Sequence, residues 1–326
     1  MNTSSKTANL HQAPVPERSR RVRGVPSIAK RSSVPERSRR VQGVPSITLI
    51  LLLLFFAPSL FAASLFTPPL LPTDPVRYLQ PIFEKVEIQK DIEFGESTNF
   101  EGKTEKLLLD VYSPEGDKAN KRPVILWFHG GGFRPGNDKT QSYIVKLATD
   151  FAQRGYVCVS VNYRVRTVPK DDKKGTMTDA LADAMKGLSW IRSNQKQLKI
   201  DLKKIIVGGG SAGGMLAVNF CFKDQTSEEK WDKSGIIGLV DLWGSPEPDY
   251  MFSTTDKQDP PTIIIHGTAD KLVPFENSVR LQKELESQKI KNELVTIEGG
   301  EHTPVKFYGD FVEKIASFIY ALHTKK

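Results

Sequence analysis

Short, continuous runs of apolar residues recur along the chain after residue 120, separated by segments of helical length. Such runs are typical of strands that are buried on both faces of a parallel sheet. Two earlier segments, "KVEIQKDIEF" and "KLLLDVYSP", alternate only in part, as edge strands do, and "NELVTIEG" is predicted as the last strand. The clearest buried runs are "RPVILWFH", "GYVCVSVNYR", "KKIIVGG", "GIIGLVDLWG" and "PPTIIIHG".

Segments with helical periodicity lie between or after these runs. Helices are predicted over residues 178–197, over Ala212–Phe222 and over Phe275–Ser287. A last amphipathic helix is predicted near the C-terminus, with an apolar stripe from Phe307 to Leu322. Buried strands that alternate with helices predict the α/β fold class, with a mostly parallel central sheet flanked by helices on both faces. Ligands of such sheets bind just beyond the carboxyl ends of the strands, so functional residues are expected there.

The first 46 residues differ in composition from the rest of the chain. They contain ten Lys or Arg and two Asp or Glu, so the net charge of +8 lies in this segment and the remainder is balanced. They also begin a duplication, since "VPERSRRVRGVPSI" recurs as "VPERSRRVQGVPSI". We expect residues 1–46 to be a disordered basic leader, with a phosphate- or membrane-binding arm as the alternative. The balanced remainder predicts no nucleic-acid partner.

Residues 47–66, "ITLILLLLFFAPSLFAASLF", carry no charge and follow the basic leader. A basic stretch, an apolar block and a small-residue exit form the layout of a secretory signal peptide, with cleavage expected after Ser64. An uncleaved membrane anchor is the alternative, because about 20 apolar residues can span a bilayer. We therefore predict secretion or periplasmic export, a proline-rich arm over residues 67–85 and a folded domain over residues 86–326.

One buried run ends in a turn that places a serine among glycines, "IIVGGGSAGGML". Gly and Ser are common in ordinary turns, but G-x-S-x-G between a strand and a helix is the pattern of a nucleophile elbow. Gly209 and Gly213 flank Ser211 in that pattern, and the predicted helix begins at Ala212. Glycines relieve crowding where the chain reverses, and a helix N-terminus favours a developing anion. We predict that Ser211 is a nucleophile.

A serine nucleophile needs a base at neutral pH, and histidine usually serves. In this class of elbow the chain order is serine, acid, histidine. His302 in "EGGEHTP" lies just beyond the last predicted strand and is predicted to be the base. The chain contains five histidines: His11, His129, His266, His302 and His323.

The acid is expected at a neighbouring strand end, where it can orient that imidazole. Asp270 in "HGTADKLVP" follows the strand "TIIIHG" and precedes a helix, so it is the predicted acid. Asp241, at the end of the preceding strand, is the alternative. His266 is expected to be packed or hydrogen-bonded rather than catalytic.

A glycine loop, "HGGGF" at residues 129–133, follows the strand "RPVILWF". Acyl transfer needs hydrogen-bond donors for an oxyanion, and the bare backbone of such a loop lets N–H groups approach it closely. The loop lies about 80 residues before Ser211, at the same predicted edge of the sheet. The sequence therefore predicts an oxyanion loop at this position.

These motifs, in this order, resemble α/β-hydrolase fold serine esterases over roughly residues 86–326. The resemblance is to the hormone-sensitive-lipase-like and acetyl xylan or feruloyl esterase-like carboxylesterases. It implies a catalytic triad of Ser211, Asp270 and His302. The residues that it places in the oxyanion hole are Gly131, Gly132 and Ala212.

Lipid-directed members of that family often carry a long helical cap. Here only about fifteen residues, 247–261, separate two predicted strands. The resemblance then implies a small or absent cap and an open cleft, which suits an ester on a bulky or polymeric substrate. Phe133, Trp243 and Tyr250 are candidates for the lining of that cleft, and ordinary packing is the alternative for each.

The leading hypothesis is a secreted serine carboxylesterase that acts on short-chain or carbohydrate-linked esters of the acetyl or feruloyl type. The alternatives are a serine peptidase of the prolyl-oligopeptidase type and a non-catalytic binding module on the same fold. The expected partner is a small-molecule or polysaccharide-linked ester, and no metal or other cofactor is expected. Cys158 and Cys221 lie in apolar runs without metal-site spacing and are predicted to be buried free thiols.

Overall fold

The computed structural model describes residues 76–223, 231–251 and 255–324. The predicted leader, the apolar segment 47–66 and the first part of the proline-rich arm lie outside these residues, so their interpretation stays a prediction. Within the described ranges, no helix is both long and apolar enough to cross a membrane.

Eight strands form one sheet in the described part of the chain, in the order β1-β2-β4-β3-β5-β6-β7-β8. β2 pairs antiparallel with β1 and β4, and all the pairs from β4 to β8 are parallel. This arrangement confirms the predicted mostly parallel sheet. The prediction of β2 as an edge strand is wrong, because β2 has a partner on each side. The strands are β1 (Val86–Thr98), β2 (Thr104–Pro114), β3 (Arg122–Phe128), β4 (Val157–Val161), β5 (Ile200–Gly210), β6 (Ile236–Leu242), β7 (Thr262–Gly267) and β8 (Asn292–Ile297).

Six α-helices occur among the described residues, and the bounds of α4 and α5 agree with the prediction. The helix predicted over residues 178–197 begins earlier, because the Asp172 side chain caps it by accepting the Gly175 N–H at 2.8 Å. Phe307 lies in a short turn before α6, and α1 is absent from the sequence-based prediction. The helices are α1 (Ser142–Gln153), α2 (Lys173–Ser193), α3 (Gln195–Leu198), α4 (Ala212–Phe222), α5 (Phe275–Ser287) and α6 (Tyr308–Thr324).

Two apolar layers cover the faces of the sheet. On one face Val124, Leu126 and Phe128 of β3 belong to the layer that α2, α4 and α5 complete. On the other face Ile125 and Trp127 belong to the layer of α1 and α6. Successive strand residues point to opposite faces, so a strand covered on both sides must be apolar throughout.

The two cysteines lie in different layers of this core. Cys158 is on the α1 and α6 side, and Cys221 is on the α2 and α4 side. Both are fully buried and unpaired, which confirms the prediction. Burial in apolar surroundings raises the pKa of both thiols, so they act as packing residues.

A buried ion pair joins α2 to the segment that follows β4. Asp183 is fully buried and accepts hydrogen bonds from the Arg164 guanidinium at 2.8 and 3.0 Å and from the Ser97 hydroxyl at 2.6 Å. Two residues after Arg164, the Arg166 N–H donates to the Phe133 carbonyl at 2.8 Å. The ion pair therefore anchors the segment that supports the glycine loop after β3.

Asp183→Ala should lower the free energy of unfolding by about 3 kcal/mol, because it removes the fully buried carboxylate that pairs with Arg164 and leaves the buried Ser97 hydroxyl without its acceptor. Urea unfolding of the wild type and the variant measures this difference. Glu93→Ala is the matched control, since the ion pair of Glu93 with Lys106 is solvent-exposed and contributes little. Equal unfolding midpoints for Asp183→Ala and the wild type would show that the pair does not anchor this region.

Candidate active site

Ser211 lies in the turn between β5 and α4. Its φ of 56° is in the left-handed region that non-glycine residues rarely adopt. Its N–H donates to the Leu242 carbonyl at 2.9 Å, which holds the turn against the end of β6. The Ser211 side chain lines a cavity at the carboxyl edge of the sheet. A strained turn whose serine faces the cavity is the geometry expected of a nucleophile elbow.

At two positions of this turn, Gly209 and Gly213, there is no room for a side chain. A Cβ on Gly213 would overlap the carbonyl oxygens of Phe128 and His129. A Cβ on Gly209 would overlap the Gly213 carbonyl. The elbow therefore packs backbone against backbone on the end of β3. Any larger residue at either position would move the serine away from the glycine loop.

Ser211, His302 and Asp270 form a continuous hydrogen-bonded row. Oγ of Ser211 lies 2.9 Å from Nε2 of His302, and Nδ1 of His302 lies 2.7 Å from Oδ2 of Asp270. The serine follows β5, the aspartate follows β7 and the histidine follows β8. The structure thus brings together the three residues that the sequence selects. With Nδ1–H donating to the aspartate, Nε2 is left to accept the serine proton.

Backbone N–H groups hold the Asp270 carboxylate in addition to His302. Oδ1 accepts hydrogen bonds from the N–H groups of Leu272 at 2.8 Å and Val273 at 3.0 Å. Burial alone would raise the pKa of this carboxyl, but these N–H groups and the His302 imidazole outweigh burial and hold the pKa below its ordinary value. Asp270 is therefore ionised at neutral pH and can stabilise an imidazolium at His302.

Asp241, the alternative acid, has different surroundings. It is fully buried in β6, and its Oδ2 lies 2.5 Å from Oγ of Ser245. Burial raises the pKa of Asp241 to about 7. Nδ1 of His302 is hydrogen-bonded to Asp270, so the geometry favours Asp270 over Asp241 as the residue that orients the imidazole.

His129 supports the glycine loop after β3 through contacts with Tyr163 and Gly130. Its ring stacks on Tyr163 with 4.3 Å between ring centroids, and its Nδ1–H donates to the Gly130 carbonyl at 2.8 Å. The Tyr163 hydroxyl donates to the His129 carbonyl at 2.6 Å. Burial lowers the pKa of His129 to about 4, so the ring is neutral. These contacts make His129 a structural residue of the loop.

The next two residues of the loop, Gly131 and Gly132, have φ values of 106° and 63°. Glycine adopts such angles without strain. Both glycines line the same cavity as Ser211, and so does Ala212 at the start of α4. The three residues that the resemblance assigns to the oxyanion hole therefore line the cavity that Ser211 also lines.

A cavity of about 530 Å³ opens above Ser211. Phe133 and Tyr250 line it with nearly parallel rings, 6.4 Å apart between centroids. Arg134 and Lys170 also line it, and both side chains are exposed. The lining therefore combines an aromatic wall with a charged rim.

The expectation that Trp243 lines the cleft is wrong. The indole is fully buried and packs edge-on against Tyr143 and Phe311. It belongs to the apolar layer beneath the sheet on the side of α1 and α6. Trp243 is thus a packing residue, the alternative that the sequence leaves open.

Two residues that support the site come from the start of α1 and are absent from the sequence-based prediction. The Tyr143 hydroxyl donates to the Gly210 carbonyl at 3.1 Å, just before the nucleophile. The Gln141 side chain accepts the Gly130 N–H at 2.7 Å. The segment "SYIVKLATDFAQ" carries apolar residues three and four apart, and this periodicity is the signal that predicts α1.

Comparison with known protein families gives two adjacent matches. Residues 109–238 match the BD-FAE family, a range that contains the glycine loop and Ser211. Residues 240–323 match the Prolyl oligopeptidase family, a range that contains Asp270 and His302. The division between the two matches falls within β6.

The chain is also similar to individual esterases and lipases. The probable carboxylic ester hydrolase LipM of Mycobacterium tuberculosis is 30% identical over 110 residues, which are 33% of this chain and 24% of that protein. The secreted triacylglycerol lipase LIP1 of Gibberella zeae is 33% identical over 125 residues, 36% of this chain and 21% of that protein. The matches thus span about a quarter or less of these curated relatives.

A solved structure extends the likeness over most of the described fold. Esterase 2 of Thermogutta terrifontis, phosphoramylated by tabun, superposes with a TM-score of 0.56 and 25% identity. That match covers 76% of this chain and 98% of the esterase. The fold, the order of the motifs and these similarities together support an α/β-hydrolase serine esterase.

Proposed function

We propose that the protein is a carboxylic ester hydrolase that acts through a serine acyl-enzyme on short-chain or carbohydrate-linked esters of the acetyl or feruloyl type. The observation that carries the proposal is the hydrogen-bonded row of Ser211, His302 and Asp270 beside a glycine loop. Ester substrates are favoured because similar proteins are named carboxylic ester hydrolase, lipase and esterase.

In the proposed reaction, Nε2 of His302 takes the hydroxyl proton of Ser211 while Oγ attacks the ester carbonyl carbon. N–H groups of the glycine loop and of Ala212 stabilise the negative charge that develops on the carbonyl oxygen. The imidazolium, held by Asp270, then donates its proton to the leaving alkoxide, and the alcohol departs. Water repeats the attack on the acyl-enzyme with His302 as base, which releases the acid and restores the serine.

The proposed preference for short or exposed acyl groups rests on the cleft. The connection from β6 to β7 comprises residues 243–261, too short for a long helical cap over a lipid tail. Charged side chains such as Arg134 and Lys170 at the cavity rim would oppose the binding of a long alkyl chain. An aromatic acyl group fits better, because Phe133 and Tyr250 offer ring faces.

A serine peptidase is the second candidate, since residues 240–323 match the Prolyl oligopeptidase family. The same three residues would serve amide hydrolysis through the same steps. A prolyl-peptide amide and 4-nitrophenyl acetate assayed side by side separate the two functions. A kcat/KM for the prolyl-peptide amide that exceeds the kcat/KM for 4-nitrophenyl acetate would favour the peptidase.

We also propose that the protein is exported through a signal peptide at residues 47–66. The sequence layout of that segment supports export, and two similar proteins are named secreted lipases. N-terminal sequencing of the mature protein tests this proposal. A start close to residue 65 is expected, and retention of the apolar segment would favour the membrane anchor.

Ser211→Ala should abolish ester hydrolysis and leave the fold intact. The substitution removes only the hydroxyl, while loss of a triad nucleophile typically lowers kcat by about 10⁴–10⁶. The measurement is kcat on 4-nitrophenyl acetate, with circular dichroism as the control for folding. A folded variant with near-wild-type turnover would rule out the acyl-enzyme at Ser211.

Asp270→Asn should lower kcat by about 10³–10⁴, because an amide at this position favours the wrong tautomer of His302. Asp241→Asn is the matched control, since Asp241 is also buried but contacts Ser245 instead of His302. Steady-state kinetics of both variants decide the assignment. If Asp241→Asn proves the more damaging change, the acid lies on β6.

The kcat/KM values for 4-nitrophenyl esters should be highest from C2 to C4 and should fall beyond about C8. In a fitting apolar tunnel each buried methylene contributes about 0.8 kcal/mol, so a lipase would improve steeply with chain length. The series from C2 to C16, measured below the aggregation limit of each ester, tests this expectation. A maximum at C12 or longer would overturn the open cleft.

A further inference from the structure

A second histidine contacts the acid of the candidate triad from behind. His266 on β7 is fully buried and hydrogen-bonded, as the sequence predicts. Its Nε2 lies 3.2 Å from Oδ2 of Asp270 and 3.0 Å from the Val273 carbonyl oxygen. The same Oδ2 is the atom that contacts Nδ1 of His302. One carboxylate oxygen therefore lies between two imidazole rings.

The hydrogen bonds continue from His266 into the core. Nδ1 of His266 lies 2.6 Å from Oγ of Ser278 on α5. Oγ of Ser278 lies 2.7 Å from Oγ of Ser245, which in turn lies 2.5 Å from Oδ2 of Asp241 on β6. Asp241, Ser245, Ser278 and His266 are all fully buried. We call these four side chains, together with Asp270, the buried relay.

The four contacts of the buried relay need one hydrogen more than its neutral groups supply, and either Asp241 or an imidazolium at His266 could hold it. Burial lowers the pKa of His266, which favours a neutral imidazole and leaves the extra hydrogen to Asp241. Four contacts join the five side chains, but two hydroxyls and a neutral imidazole supply only three hydrogens. Nε2 of His266 faces two acceptors and must carry the imidazole hydrogen. Nδ1 then accepts from Ser278, Ser278 accepts from Ser245, and Ser245 must accept from Asp241. The fourth hydrogen therefore belongs on Oδ2 of Asp241.

The surroundings of Asp241 agree with a neutral carboxyl group. Burial raises the pKa of Asp241 to about 7, and burial lowers the pKa of His266. On the neighbouring strands Asp241 pairs with Gly209 and Ile264, which carry no charge. Within the described residues Asp241 has no cation as an ion-pair partner.

The guanidinium of Arg280 on α5 is paired with groups other than Asp241. Arg280 of α5 forms an ion pair with Glu284 at 3.0 Å, and its guanidinium also donates to the Pro246 carbonyl. His266 is the titratable side chain that faces Asp241 across the two serines. A proton on Asp241 is thus the arrangement that satisfies every contact without a buried unpaired charge.

We propose that protonated Asp241 is the terminal donor of the buried relay, and that the relay positions the Asp270 carboxylate toward His302. The proposal rests on the proposed esterase function, because it assigns a positioning role in that reaction. None of Asp241, Ser245, Ser278 and His266 is among the described residues that line the cavity at Ser211. They act through Asp270, whose orientation decides the tautomer of the base.

Loss of the proton from Asp241 would reverse the relay. An ionised carboxylate draws the Ser245 hydroxyl hydrogen to itself, and Ser278 then donates to Ser245. Nδ1 of His266 and Oγ of Ser278 then face each other as two acceptors without a hydrogen between them. The contact is restored if the imidazole hydrogen of His266 moves from Nε2 to Nδ1. In that case Nε2 faces the Asp270 carboxylate without a hydrogen, and the carboxylate loses this contact.

The test compares the wild type, Asp241→Asn and Ser278→Ala in kcat–pH profiles from pH 5 to 9.5. An Asn amide donates to Ser245 at every pH. We expect wild-type kcat to fall by about threefold or more between pH 7 and pH 9, and Asp241→Asn to lack this fall.

Ser278→Ala breaks the relay and should lower kcat by about tenfold with KM unchanged, as expected for loss of one positioning hydrogen bond. An identical fall in the wild type and Asp241→Asn, or full activity in Ser278→Ala, overturns the proposal.

Urea unfolding from pH 4 to pH 8 decides the protonation of Asp241 without any assay of activity. The pKa of Asp241 rises from 3.8 to about 7 on folding, so the folded state holds the proton over this interval and the unfolded chain releases it. Wild-type stability should therefore decline relative to Asp241→Asn as the pH rises through this interval, and level off above it. A difference that does not change with pH overturns the proposal. Because this readout needs no turnover, it stands even if Ser211→Ala disproves the esterase function.

Discussion

Parallel pairing of β3, β5, β6, β7 and β8 is the constraint on which the candidate site depends. It brings the carboxyl ends of these strands to one edge of the sheet, so residues 129–133, Ser211, Asp270 and His302 meet although they are far apart in the chain. The close backbone contacts at Gly209 and Gly213 then fix the position of Ser211 relative to the end of β3. A rigid, doubly covered sheet holds these groups within hydrogen-bonding distance before any substrate binds.

Much of this arrangement can be predicted from the sequence, because the strongest signals are local. Continuous apolar runs mark the buried strands, and each motif follows directly after one of them. Helices α4 and α5 each begin directly after turn residues, and their bounds are predicted well. Helix α1 has an equally clear stripe that the prediction does not use, and α2 begins earlier because Asp172 caps it.

Other features depend on which face a side chain occupies, and sequence alone does not determine that. Trp243 follows Leu242, whose carbonyl accepts the Ser211 N–H, yet its indole lies in the apolar layer of α1 and α6. Asp241 and Asp270 both end or follow a strand, and only the structure separates them. Asp270 receives two backbone N–H groups that stabilise a charge, whereas Asp241 meets a hydroxyl in a fully buried site that favours the neutral form. Two carboxyl groups on adjacent strands thus have pKa values shifted in opposite directions.

The central claim is that Ser211 is a nucleophile activated by His302. An activated organophosphate such as paraoxon reacts with a serine of this kind and leaves a stable phosphoryl adduct in place of the acyl-enzyme. Mass spectrometry of peptides from the treated protein measures the adduct and its position. The account predicts one adduct, on Ser211, that forms in parallel with the loss of esterase activity. An adduct confined to another residue, or inactivation without any adduct on Ser211, would contradict it.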